Sequence, residues 1–149
     1  MRVSVIGGSA VDEETYESAR SLGNGLADRG HTVVCGGLTG VMEATARGVA
    51  ERGGTTIGIL PGADRAAANP SVDTVIATGL GNARNVLVVL NGDAVVAVDG
   101  GPGTLSEIGH ALDFEKPVVG LHTHDVPGIE HVETPEAAIE YVESTVGMD

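Results

Sequence analysis

One cysteine, one lysine and no tryptophan stand among the 149 residues of this chain. With Cys35 alone, an intrachain disulfide is excluded, and a reducing cytoplasm fits. Lys116 and seven arginines face 21 acidic residues, so the formal net charge is −13. A surface of that sign argues against binding along a nucleic-acid backbone and against an anionic membrane surface. No apolar run approaches the roughly 20 residues that a membrane-spanning helix needs. The start, Met1-Arg2-Val3-Ser4-Val5-Ile6-Gly7-Gly8, enters a strand pattern without the long apolar core and cleavage site of a signal peptide. A cytoplasmic protein is therefore expected. Aromatic residues make up only 2% of the chain. An acidic, lysine-poor, aromatic-poor composition resembles that of proteins from salt-loving organisms, whose surfaces stay solvated in concentrated salt.

What the chain does have is apolar residues, 42% of the total. That fraction and this length predict one domain, residues 1–149, with a sizeable core. Strand-like and helix-like segments alternate. Strands are predicted at Val3–Ile6, His31–Cys35, Thr55–Leu60, Val72–Ala77, Asp93–Val98 and Pro117–Leu121. Helices are predicted from Asp12 to Gly30, Gly40 to Gly53, Gly81 to Leu90, Thr104 to Glu115 and Pro135 to Val146. Asp12 and Thr134 suit helix N-caps. Residues 63–71 read as a polar, alanine-rich loop, within which Arg65 to Asn69 could form a mobile cover over a site. Valine-rich strands with little polar alternation fit a parallel sheet covered on both faces. The expected fold is thus a doubly wound, mainly parallel α/β sheet, Rossmann-like, with helices on both faces. Ligands in such folds bind at the carboxyl ends of the strands, near the switch in strand order.

Three strands end in paired glycines: Gly7-Gly8, Gly36-Gly37 and Gly100-Gly101. The first pair leads into Ser9, and the second into Gly40 at the start of a helix. The third continues as Pro102-Gly103-Thr104-Leu105-Ser106-Glu107. A strand that turns through glycines into a helix presents backbone N–H groups and the positive helix end to an anion. Gly100, Gly101, Gly103 and Thr104 are therefore candidate phosphate contacts. Gly8, Ser9, Gly36, Gly37 and Gly40 are candidates on the same edge. Glu107 follows one helical turn in. His122-Thr123-His124-Asp125 carries a spacing that can hold a metal, but no third ligand is evident and no metal is expected. His31 and His110 read as structural, Cys35 as a buried small apolar residue, and Met42 as core.

The segment Gly36-Gly37-Leu38-Thr39-Gly40-Val41-Met42, then Arg84, then Gly100 to Glu107 together resemble the Lonely Guy family. Its members have carried the label "possible lysine decarboxylase". The nearest branch is that of short Rossmann-like proteins similar to the molybdenum cofactor carrier protein, and the resemblance covers roughly residues 1–121. Family enzymes hydrolyse the N-glycosidic bond of cytokinin nucleotides, giving base and ribose 5-phosphate. The resemblance implies that Gly100, Gly101, Gly103 and Thr104 hold a phosphate and that Glu107 and Arg84 are the catalytic pair. A required cofactor is not implied. The ligand would be a nucleotide or another phosphate-bearing small molecule, and the assembly a homo-oligomer, dimer or tetramer. Chemically, a carboxylate can stabilise the positive charge that builds on the sugar. The arginine can keep that carboxylate ionised or grip the phosphate.

Three positions depart from the hydrolase pattern: Asp99 in place of proline, Asn85 in place of lysine, and Gly81 in place of methionine. Asp99 is expected to put negative charge close to the phosphate seat. These changes motivate an alternative, a non-catalytic carrier or sensor of a molybdopterin-type ligand or signalling nucleotide. Lysine decarboxylation has no support, because Lys116 precedes Pro117 at an expected helix end and no other lysine exists for a Schiff base.

Overall fold

A computed structural model describes residues 1–147. The single domain expected over 1–149 ends in Met148 and Asp149, which lie outside the described residues. Among the described residues seven strands form one sheet: β1 (Arg2–Gly7), β2 (Thr32–Cys35), β3 (Thr56–Leu60), β4 (Thr74–Ala77), β5 (Ala94–Val98), β6 (Val118–Leu121) and β7 (Glu130–Val132). Their order is β4-β3-β2-β1-β5-β6-β7. Every neighbouring pair is parallel. Strand order reverses between β1 and β5, which pair from Val3↔Ala94 to Gly7↔Val98. The carboxyl ends of these two strands therefore flank the switch point, where ligands of doubly wound folds sit.

Five α-helices among the described residues cover the sheet: α1 (Glu13–Asp28), α2 (Val41–Glu51), α3 (Asn85–Leu90), α4 (Pro102–Asp113) and α5 (Pro135–Val146). Leu22 and Leu26 of α1, Val41 and Val49 of α2, and Ile139 and Val142 of α5 share one buried cluster. Val88 and Val89 of α3 pack with Ile108 and Ala111 of α4 in the other. The sheet is thus sandwiched, as its valine-rich strands require. All five residues of β5 are buried, each valine contributing roughly 1.5–3 kcal/mol relative to exposure.

All six predicted strands are present, with ends shifted by a residue or two. The seventh, β7, escaped the sequence reading. Its three residues, Glu-His-Val, are half-exposed or exposed and carry no apolar run, so only pairing with β6 makes them a strand. The segment predicted as one helix from Gly81 is a 3-10 turn, Gly81–Arg84, running into the six residues of α3. So short a helix depends on tertiary anchors. Ser4 Oγ donates to Val88 O at 2.6 Å, and Lys116 Nζ donates to Gly92 O at 2.8 Å just past its end. Helix α4 begins at Pro102, two residues earlier than expected, because proline at the first helical position has no N–H to leave unpaired. The 63–71 loop holds one 3-10 turn, Arg65–Ala67, capped by Asp64.

Candidate functional site

A cavity of about 290 Å³ opens at the carboxyl ends of β1 and β2, beside the start of α4. Gly8 and Ser9 line it from the β1 end, and Gly36 from the β2 end. Arg84 and Asn85 enter from the junction of the 3-10 turn and α3. Gly101, Gly103, Thr104 and Glu107 form the α4 wall. Leu38 and Met42 supply apolar surface; Met42, 7% exposed, belongs both to the core and to this wall.

Three predicted contacts, Gly37, Gly40 and Gly100, lie outside the cavity wall, and each has a visible constructional part. A Cβ on Gly40, which has φ +66°, would meet Gly8 O at 2.2 Å. Its absence lets Val41 N–H donate to Gly8 O at 2.9 Å and dock the loop after β2 on the loop after β1. Gly100 has φ +114°, and a Cβ there would meet Thr104 Oγ1 at 2.3 Å. Gly37 has φ +78°, a Cβ there would meet Leu60 Cδ2 at 2.8 Å, and its carbonyl accepts from Asn69 N–H at 2.9 Å.

Helix α4 has Gly101 as its N-cap and no side-chain cap. Its first-turn N–H groups have no intrahelical partner, and two of the residues carrying them, Gly103 and Thr104, face the cavity. The helix dipole favours negative charge there. Thr104 is buried and brings a hydroxyl to the same wall.

Arg84 is 8% exposed and held by acceptors from three elements. Its Nε–H donates to Ile59 O at 2.9 Å, and an Nη2–H to Gly36 O at 3.5 Å. An Nη1–H donates to Asn85 Oδ1. Burial lowers the arginine's proton affinity, against the pull of Glu107, but a guanidinium stays charged in proteins.

Glu107 is 7% exposed. Burial pushes its carboxyl up from 4.5 to about 8, with Arg84 pulling the other way. Desolvation prevails because the two side chains share the cavity without a direct ion pair, leaving only through-space attraction. Arg84 thus favours the ionised carboxyl, in the expected direction, but burial outweighs it. Asp99 lines a neighbouring cavity of about 330 Å³ with Glu14, His122 and Glu133, but its Oδ2 would stand only 3.3 Å from a Cβ on Gly8, a residue of the Glu107 cavity wall, so its negative charge borders that cavity.

The histidines after β6 diverge. His122 Nε2 lies 3.8 Å from Glu133, while His124 Nε2 lies 3.0 Å from Gly101 O. Among the described residues no three His, Cys, Asp or Glu side chains are gathered as metal ligands. His31 bridges Glu143 at 2.7 Å and the N-terminal amine at 3.2 Å. Cys35 is fully buried, and burial pushes its thiol up to about 11, which makes it an inert core residue. Asn82 and Asn85 also line the cavity; the sequence singles out only Asn85, as a departure from the hydrolase pattern beside Arg84, and offers no signal for Asn82.

The fold and site together define a Rossmann-like α/β protein with a cavity at the opening of a helix. The chain belongs to the SLOG cluster4 family, which it matches over residues 1–147, and the Lonely Guy-like resemblance stands. It is 44% identical to an uncharacterised protein of Archaeoglobus fulgidus over 95% of this chain and 93% of that one. It is 33% identical to the cytokinin riboside 5′-monophosphate phosphoribohydrolase of Mycobacterium tuberculosis, over 80% of this chain but 63% of the enzyme. Among solved structures, the molybdenum cofactor binding protein of Rippkaea orientalis superposes with a TM-score of 0.92 at 35% identity, covering 97% of this chain and 96% of that one. No helix among the described residues is long and apolar enough to cross a membrane.

Proposed function

We propose that the cavity binds a phosphate-bearing small molecule and that the chain hydrolyses the N-glycosidic bond of nucleoside 5′-monophosphates. One observation carries this reading. A buried cation, Arg84, and a buried acid, Glu107, line one cavity with the uncapped start of α4. The 5′-phosphate docks on the first-turn N–H groups and Thr104, and this remote binding aligns the reacting bond. As the bond between C1′ and the base nitrogen breaks, its electron pair leaves with the base and positive charge builds on the sugar. Glu107, in its carboxylate form, stabilises that charge and takes a proton from the attacking water. Hydroxide adds to C1′, and the proton passes to the departing base. Release of free base from AMP, GMP, CMP, UMP or IMP in molar KCl, absent with Glu107→Gln, is the test. Failure of all five to release base counts against hydrolysis.

A second reading is favoured by one comparison. The molybdenum cofactor binding protein matches this chain over nearly the whole of both, whereas the hydrolase relative extends well beyond it. In that reading the same α4 opening grips the phosphate of a molybdopterin-type ligand held as cargo, and no bond is broken. The donor set fits: first-turn N–H groups, a hydroxyl and a fixed guanidinium all suit a phosphomonoester. Native mass spectrometry of freshly purified protein separates the readings by what stays bound. A cytoplasmic homo-oligomer belongs to both. Ile76, Leu80, Leu90 and Leu105 are exposed apolar residues that could be covered in such an assembly.

A further inference from the structure

We propose that Asn85 is a positioning residue: it ties the Arg84 guanidinium to the first turn of α4, so that the cation is fixed in the cavity before any ligand arrives. This rests on the reading of the cavity as a phosphate-ligand site and adds a residue outside the Arg84 and Glu107 pair.

A guanidinium has five N–H groups and no acceptor. Three are committed, to Ile59 O, Gly36 O and Asn85 Oδ1, which leaves two for a ligand. Asn85 is 6% exposed, and its amide is used at both ends. The oxygen accepts from Arg84, and Nδ2 donates to Ser106 Oγ at 3.4 Å. The Ser106 hydroxyl donates in turn to Gly103 O at 2.8 Å. A continuous relay thus runs from the arginine to the turn whose N–H groups face the phosphate. Its direction is forced: Arg84 can only donate, so the Asn85 oxygen must face it and the NH₂ must face Ser106. A lysine or a leucine at this position offers no acceptor. Arg84 would then keep Ile59 and the long contact to Gly36, with one buried N–H unsatisfied and the guanidinium plane free to turn.

The test is the rate at which the Arg84 Nη groups rotate about the Nε–Cζ axis, read from ¹⁵N-detected arginine side-chain spectra of the ligand-free full chain. The wild type should rotate slowly compared with exposed Arg65. Asn85→Leu should speed rotation about tenfold or more, while Asn85→Asp, which retains the acceptor, should restore slow rotation. Ser106→Ala, at an exposed position, should quicken it less. In turnover assays Asn85→Leu should lower kcat more than it raises KM, with Asn85→Asp intermediate. Unchanged Arg84 rotation in Asn85→Leu overturns the proposal. So does wild-type rotation as fast as that of Arg65, a result that needs no variant to fold. If the wild type releases no base, the spectra still decide the role of Asn85, and only the hydrolytic reading is lost.

Discussion

A Cβ on Gly36 would stand 2.7 Å from Nη2 of Arg84 and 2.7 Å from Sδ of Met42. The glycine that follows β2 is therefore the opening through which the arginine reaches the cavity. Gly36→Ala should push Arg84 aside and lower turnover about 100-fold, while the fold loses only about 1–3 kcal/mol to the tighter packing. Steady-state kinetics beside a thermal melt checks both. Undiminished turnover would mean that Arg84 need not occupy its observed place.

Glu107 is held in its neutral form at a cost to the fold. Its carboxyl titrates near 8 in the folded chain against 4.5 ordinarily, so the folded state binds the proton more tightly. Wild-type stability from this group is complete below pH 4.5 and declines as pH rises through about 8. Glu107→Gln removes the decline. The variant should match the wild type near pH 4.5 and exceed it at pH 8 by on the order of 1–3 kcal/mol. Urea unfolding across that range reads the difference, and a variant that is less stable at pH 8 would contradict the buried, shifted carboxyl.

The same titration sets the pH dependence of catalysis. If the carboxylate is the working form, kcat/KM rises with pH and levels off above about 8. A rate that falls over this range would instead make Glu107 a proton donor to the leaving base.

Most of the frame was legible in the sequence. Valine-rich segments between glycine turns predicted the parallel sheet, and the run from Gly100 to Glu107 predicted a strand that turns into a helix at a cavity. What stayed hidden depended on contacts far along the chain. The strand character of Glu130–Val132 comes from β6. The protonation of Glu107 follows from how deeply α4 buries it, which motif spacing does not encode. Asp99, next to the glycines in sequence, takes a left-handed φ of 53° and borders a second cavity. The part played by Asn85 appears only once Arg84 and Ser106 are placed around it.

The charge of −13 should make the fold salt-dependent. Melting temperature should climb with KCl into the molar range, through screening of mutual repulsion. A melting temperature that is flat from low salt upward would remove the case for adaptation to brine.

The central claim is that the α4 cavity breaks a nucleotide's N-glycosidic bond through Glu107. Its most direct test is chromatography of free base after incubation with AMP, GMP, CMP, UMP and IMP in molar KCl, with Glu107→Gln in parallel. Base release by the wild type that the variant lacks, with nucleotide binding retained, is the predicted result. No release from any of the five, or equal release by the variant, would contradict it.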